Sequence, residues 1–75
     1  MTALVSTQNS AGLHRIVLAE DPGLGVYCLG FQREDSAGPA WDYLQDNWRL
    51  AKEFCLERWG APTESWSPTD ERPNR

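Results

Sequence analysis

The chain has 75 residues, of which 40% are hydrophobic and 24% are charged, and its formal net charge is −4. This length allows one domain near the lower limit for a self-sufficient hydrophobic core, and the composition is that of a folded globular protein. The basic residues form no patch or stripe along the sequence. Nucleic acid and anionic membrane surfaces are therefore not expected as partners.

The N-terminal residues 1–12 are small and polar and end in a turn-like cluster. They predict a flexible segment, with a short edge strand over residues 3–6 as the alternative. This segment has neither a basic leader nor a long apolar run, and no stretch approaches the roughly 20 apolar residues of a membrane-spanning helix. We therefore expect a cytoplasmic protein whose cysteines are reduced.

Two strand-like segments follow, at 13–20 and 25–32, and both are rich in β-branched and aromatic residues. Between them, residues 21–24 read Asp-Pro-Gly-Leu, which is typical of a tight turn because proline presets φ at one corner and glycine tolerates a positive φ at the next. A four-residue loop pairs Leu18 with Tyr27 and places both side chains on the core face of a β-hairpin.

Residues 39–59 are predicted to form one long amphipathic helix, since proline at 39 suits the first turn and Gly60 suits a left-handed C-cap. At 100° per residue, two neighbouring apolar stripes run along it. The first stripe contains Trp41, Leu44, Trp48, Ala51, Cys55 and Trp59, and the second contains Tyr43, Leu50 and Phe54. Together they cover about half of the helix circumference, more than one packing surface needs.

Residues 61–75 are rich in proline and polar side chains, which predicts a largely disordered tail. The expected organisation is thus a flexible N-terminus, a ββα domain over residues 13–60, and this tail. The fold class is α+β: a small β-hairpin, with three strands as an option, and one long helix packed on one face. A hairpin is too narrow to cover that helix, so we expect dimerisation to complete the core.

Residues that could carry chemistry are few. His14 is the only histidine, and no cysteine or acid stands at ligand spacing from it, so it is predicted to be structural or exposed. Cys28 and Cys55 form no Cys-x-x-Cys motif, and the predicted hairpin register puts them on opposite sides of the sheet, as inert thiols that cannot form a disulfide. No calcium-loop spacing is present. We expect no metal, no cofactor and no enzymatic activity.

The surplus aromatic surface indicates an interface, because aromatic residues are enriched at interface centres. The candidate association residues are Tyr43, Leu50 and Phe54, with Trp41, Trp48 and Trp59 shared between core and interface. The first hypothesis is a small accessory protein that forms a homodimer or docks on an unidentified larger protein. The alternative is an acidic inhibitor or immunity-like protein that blocks a basic partner. A nonpolar ligand held in an aromatic cup is a further option.

Overall fold

The computed structural model describes residues 3–70, and its main element is a five-stranded antiparallel sheet with one helix packed on it. In chain order the elements are β1 (Ala3–Ser6), β2 (Arg15–Asp21), β3 (Gly25–Phe31), β4 (Trp41–Gln45), α1 (Trp48–Trp59) and β5 (Ser67–Thr69). Across the sheet the strands lie in the order β4-β3-β2-β1-β5. The α+β class is confirmed, with a larger sheet than the predicted hairpin.

The turn between β2 and β3 forms as predicted. The Leu24 N–H donates to the Asp21 carbonyl at 2.9 Å, and Gly23 has a φ of 94°, the positive value that the second corner of a type II turn requires. The loop is one residue shorter than expected, because Asp21 pairs with Gly25. Gly25 allows this early pairing with a φ of 138°, which L residues rarely adopt.

The shorter loop shifts the hairpin register by one residue, so the predicted register is wrong. Leu18 pairs with Cys28 and not with Tyr27. Cys28 therefore faces the helix, and Tyr27 lies on the other side of the sheet, because successive side chains alternate faces. Both faces of β2 and β3 are mostly apolar, so the hydrophobic pattern could not distinguish the two registers.

The predicted helix over residues 39–59 is two elements. Residues 41–45 form the edge strand β4, and α1 begins at Trp48. Asn47 sets this start: its backbone is extended, and its side-chain oxygen accepts the Leu50 N–H at 2.9 Å, which satisfies one of the free donors of the first turn. Trp41 and Leu44 therefore leave the predicted helical stripe.

The predicted end of the helix is confirmed. Gly60 is left-handed, with a φ of 71°, and its N–H donates to the Leu56 carbonyl at 3.0 Å. The Ala61 N–H donates to the Cys55 carbonyl at 3.2 Å. These bonds satisfy carbonyls that have no partner within the helix.

Both ends of the described chain contribute strands, where flexible segments were the first expectation. The alternative of a strand over residues 3–6 is confirmed, since β1 spans Ala3–Ser6. β1 is not an edge strand: it lies between β2 and β5. β5 replaces part of the predicted disordered tail, and residues 71–75 of that prediction lie outside the described residues, as do residues 1–2 of the N-terminus. Each strand is too short to show a periodic pattern. β5 pairs with β1, as between Thr69 and Ala3, and β1 also pairs with β2.

The main core lies between α1 and the sheet. Its buried members are Leu13, Ile16, Leu18, Val26, Cys28, Ala51, Cys55, Trp59 and Ala61. A smaller cluster of Val17, Leu29 and Phe31 lies on the opposite face, where the Arg15 guanidinium stacks 3.9 Å from the centroid of the Phe31 ring. Within residues 3–70, no helix is long and apolar enough to cross a membrane.

Candidate interaction edge and aromatic pocket

The edge strand β4 presents apolar side chains on both of its sides. Trp41 pairs with Gly30 and lies on the helix side of the sheet, whereas Leu44 pairs with Tyr27 and lies on the opposite side. Trp41 is 42% exposed and Leu44 is 47% exposed. The backbone of β4 is paired with β3 on one side only, so its outer N–H and C=O groups face no strand in the described part of the chain.

The two edges of the sheet differ in how well they are protected. β5 has only three residues, and the central one, Pro68, has no N–H to donate. Short strands and proline are devices that prevent another strand from adding to an edge. β4 has five residues, no proline and one charged side chain, Asp42. It is therefore the less protected of the two edges, at which a further strand can add.

The residues predicted for association lie close to the core. Tyr43 comes from β4 and Phe54 from α1, and their ring centroids are 4.9 Å apart. The Trp59 ring lies 6.0 Å from Tyr43 and 5.9 Å from Phe54. Leu50 and Trp48 are half-buried on the helix. The structure thus joins Tyr43, Phe54 and Trp59 into one aromatic cluster between strand and helix, and a contact of these residues with a partner stays a prediction.

A pocket of about 300 Å³ opens beside Trp41. It is lined by residues 11–12 together with Leu13, Gln32, Trp41, Arg58 and Trp59. Gly30 allows the two indoles to approach the sheet, because a Cβ at this position would lie 3.0 Å from Trp41 Cδ1 and 3.2 Å from Trp59 Cζ2. The pocket therefore combines two aromatic side chains with the polar side chains of Gln32, which directly follows β3, and of Arg58 on α1.

Among the lining residues that belong to the described part of the chain, Arg58 is the only charged one. Its guanidinium lies 5.1 Å from the centroid of the Tyr43 ring, a distance at which a cation is attracted to an aromatic face. Among residues 3–70, no carboxylate forms an ion pair with it. The pocket thus has a local positive charge on a protein whose net charge is negative.

The two cysteines meet in the core, which contradicts the prediction that they lie on opposite sides of the sheet. Both are fully buried and free, and the Cys28 thiol donates to the Ala51 carbonyl at 3.9 Å. The shifted hairpin register is the reason, because it turns Cys28 toward α1. A hydrogen bond with Cys28, together with burial, raises the pKa of the Cys55 thiol above its ordinary value of 9.0.

We expect both thiols to be unreactive in the folded protein, because both are fully buried and an aqueous reagent cannot reach them. At about pH 8 an aqueous disulfide reagent should label neither cysteine until guanidinium unfolds the chain. Since the folded pKa of Cys55 lies above the unfolded value, its contribution to stability is complete below about pH 8.5 and is lost as the pH rises further. Rapid labelling of the native protein would contradict this prediction.

The alkaline part of this prediction has a matched control. Urea denaturation of the wild type and of Cys55→Ala between about pH 7 and pH 10 measures the loss of stability in each protein. The wild type should lose more stability over this range than the variant. An equal loss in both proteins would mean that other groups cause the alkaline destabilisation.

Sequence reasoning missed three residues of these sites: Leu44, Gln32 and Arg58. Leu44 was assigned to a helical stripe, and the signal that could have corrected this is Asn47, a preferred N-cap residue just before Trp48. Nothing in the sequence brings Gln32 and Arg58 together, since they lie on different elements.

Among residues 3–70, no group of three or more His, Cys, Asp or Glu side chains could hold a metal ion. No protein-family model, curated protein or solved structure matches this chain.

Proposed function

We propose that this protein is a small non-enzymatic interaction module of the cytoplasm that forms a homodimer by pairing the β4 strands of two copies. The observation that supports this most strongly is the unprotected edge of β4, with Trp41 and Leu44 exposed on opposite sides. Strand addition to such an edge gives affinity through main-chain hydrogen bonds and specificity through alternate side chains. A second copy supplies an edge of identical length and composition.

An antiparallel pairing with its two-fold axis at Tyr43 fits the side chains of β4. Trp41 of one copy then lies opposite Gln45 of the other, and Asp42 lies opposite Leu44. Two carboxylates directly opposite each other would be destabilising, and this pairing contains no such contact. The two sheets become one continuous sheet, with Trp41 and Tyr43 on the helix side of the junction and Leu44 beside Asp42 on the other side.

The decisive variant is Leu44→Lys, because a charged side chain on an edge strand opposes pairing. Both copies carry the change, so a cost of about 1.4 kcal/mol from each weakens the dimer about 100-fold. Light scattering after size exclusion, over a roughly hundredfold concentration range, should give a mass near twice 8.5 kDa for the wild type and near 8.5 kDa for the variant.

Leu56→Lys is the matched control. Leu56 is 45% exposed, close to the 47% of Leu44, and it lies on α1 and not on β4, so this variant should keep the mass of the wild type. Circular dichroism shows whether each variant is folded. A wild type that stays monomeric over the whole range refutes the homodimer, and so does a folded Leu44→Lys variant that remains dimeric.

The acidic-inhibitor hypothesis uses the same edge with a different partner. Asp42 and Asp46 are exposed beside the apolar side chains of β4, so a basic strand could add there. The two hypotheses differ in their response to salt. Binding to a basic partner should weaken as ionic strength rises, whereas a homodimer that buries Trp41 and Leu44 should depend little on salt.

A further inference from the structure

We propose that the pocket between Trp41 and Arg58 binds a small planar aromatic carboxylate. This goes beyond the proposed function, because the pocket lies on the helix side of the sheet and edge pairing does not require a ligand. The ligand is defined here by its chemistry: one aromatic ring that bears one carboxylate group.

The size and the aromatic lining of the pocket favour a small aromatic ligand. Its volume of about 300 Å³ is at the lower end for small-molecule sites, which suits a single ring. Trp59 forms a fixed wall, since it is only 5% exposed and its ring contacts Tyr43 and Phe54. Trp41 lines the pocket from β4 and is more exposed. Indole faces pack well against planar rings.

The charge of the pocket favours an anion. Arg58 presents a planar fork of N–H donors that matches the two oxygens of a carboxylate, and it forms no ion pair within residues 3–70. Gln32 adds an amide side chain that can donate a further hydrogen bond. No acidic residue belongs to the described lining, so no carboxylate there can pair with a cation.

The test is a titration with three matched compounds: benzoate, benzamide and benzylamine. They share one ring and differ in charge, so they separate ring stacking from recognition of the carboxylate. The readout is the indole N–H signals of the four tryptophans in a nitrogen–proton correlation spectrum. Benzoate should shift the signals of Trp41 and Trp59, while those of Trp48 and Trp66 serve as internal references.

Arg58→Gln should weaken benzoate binding at least about tenfold, the loss of about 1.4 kcal/mol expected when one charge-assisted contact is removed. Arg49→Gln is the matched control, since Arg49 is an exposed arginine on the same helix that pairs with Glu53, and it should bind as the wild type does. Signals of Trp48 and Trp66 at the same positions as in the wild-type spectrum show that each variant is folded.

Three results would overturn the proposal. Benzamide or benzylamine could bind as tightly as benzoate, benzoate could bind Arg58→Gln unchanged, or no saturable shift could appear up to about 10 mM. Repeating the titration with Leu44→Lys keeps this test separate from dimerisation, because Leu44 lies on the opposite side of the sheet. Binding that persists in this variant supports the pocket whether or not the homodimer forms.

Discussion

Replacing Trp59 with alanine is expected to unfold most of the protein. The Trp59 side chain is almost fully buried and packs against the rings of both Tyr43 and Phe54. It also lies beside Gly30, 3.2 Å from the point where a Cβ would stand. Truncating a buried tryptophan costs about 3–5 kcal/mol. A domain of this size rarely has more than about 5 kcal/mol of stability in total, so little of the folded state should remain.

Trp41→Ala is the control for this experiment, because it removes the same side chain from an exposed position. Because Trp41 is 42% exposed, its cost should stay near 1 kcal/mol, the centre of the values measured for point substitutions. Urea denaturation followed by circular dichroism measures the free energy of unfolding of both variants. If the two variants lose equal stability, the Trp59 indole is not a central part of the core.

Gly25→Ala is expected to destabilise the protein by roughly 3–5 kcal/mol, through two separate effects. The φ of 138° at this residue is almost closed to residues with a Cβ, which costs about 1–3 kcal/mol. In addition, the new Cβ would collide with the backbone carbonyl of Gln45. Neither atom belongs to a flexible side chain, so β3 and β4 would have to move apart.

Gly23→Ala separates these two effects. Gly23 also has a positive φ, of 94°, but a Cβ there meets nothing within 4 Å. It should therefore show the conformational cost alone, about 1–3 kcal/mol. Thermal and urea denaturation of both variants give the comparison. Equal losses in the two would show that β4 does not lie against Gly25 as the structure has it.

Several local features of the fold could be read from the sequence. Pro22 and Gly23 mark the turn, Gly60 marks the end of the helix, and the spacing of Ala51 and Cys55 marks its buried face. These features depend on neighbouring residues only, so their physical causes are present in a short stretch of sequence.

The features that were missed depend on distant partners or on a balance between two patterns. Residues 41–45 fit a helical stripe, but they also alternate between the two sides of a strand, with Trp41 and Tyr43 on one side and Leu44 on the other. Five residues are too few to decide between these periods. The pairing of β1 with β5 joins opposite ends of the chain, and no local pattern records it.

The candidate sites were predictable only in part. The aromatic residues were identified, but the sequence suggested that they lie on one helix, whereas Tyr43 reaches the cluster from β4 and Phe54 from α1. Arg58 belongs to the pocket because the C-terminal end of α1 lies beside Gln32 and Trp41. That proximity is a property of the tertiary structure, and no motif in a single sequence encodes it.

The position of β5 has a consequence for the protein during its synthesis. The strands β1 to β4 follow one another in the chain, so a nascent chain can pair each with its predecessor as it leaves the ribosome. The outer edge of β1, however, stays bare until residues 67–69 emerge. An unpaired strand edge in an incompletely folded chain can pair with another chain and so promotes aggregation. Within residues 3–70, β5 is the last strand to be synthesised, and it pairs with the outer edge of β1. Pro68 makes β5 a poor template for any further strand.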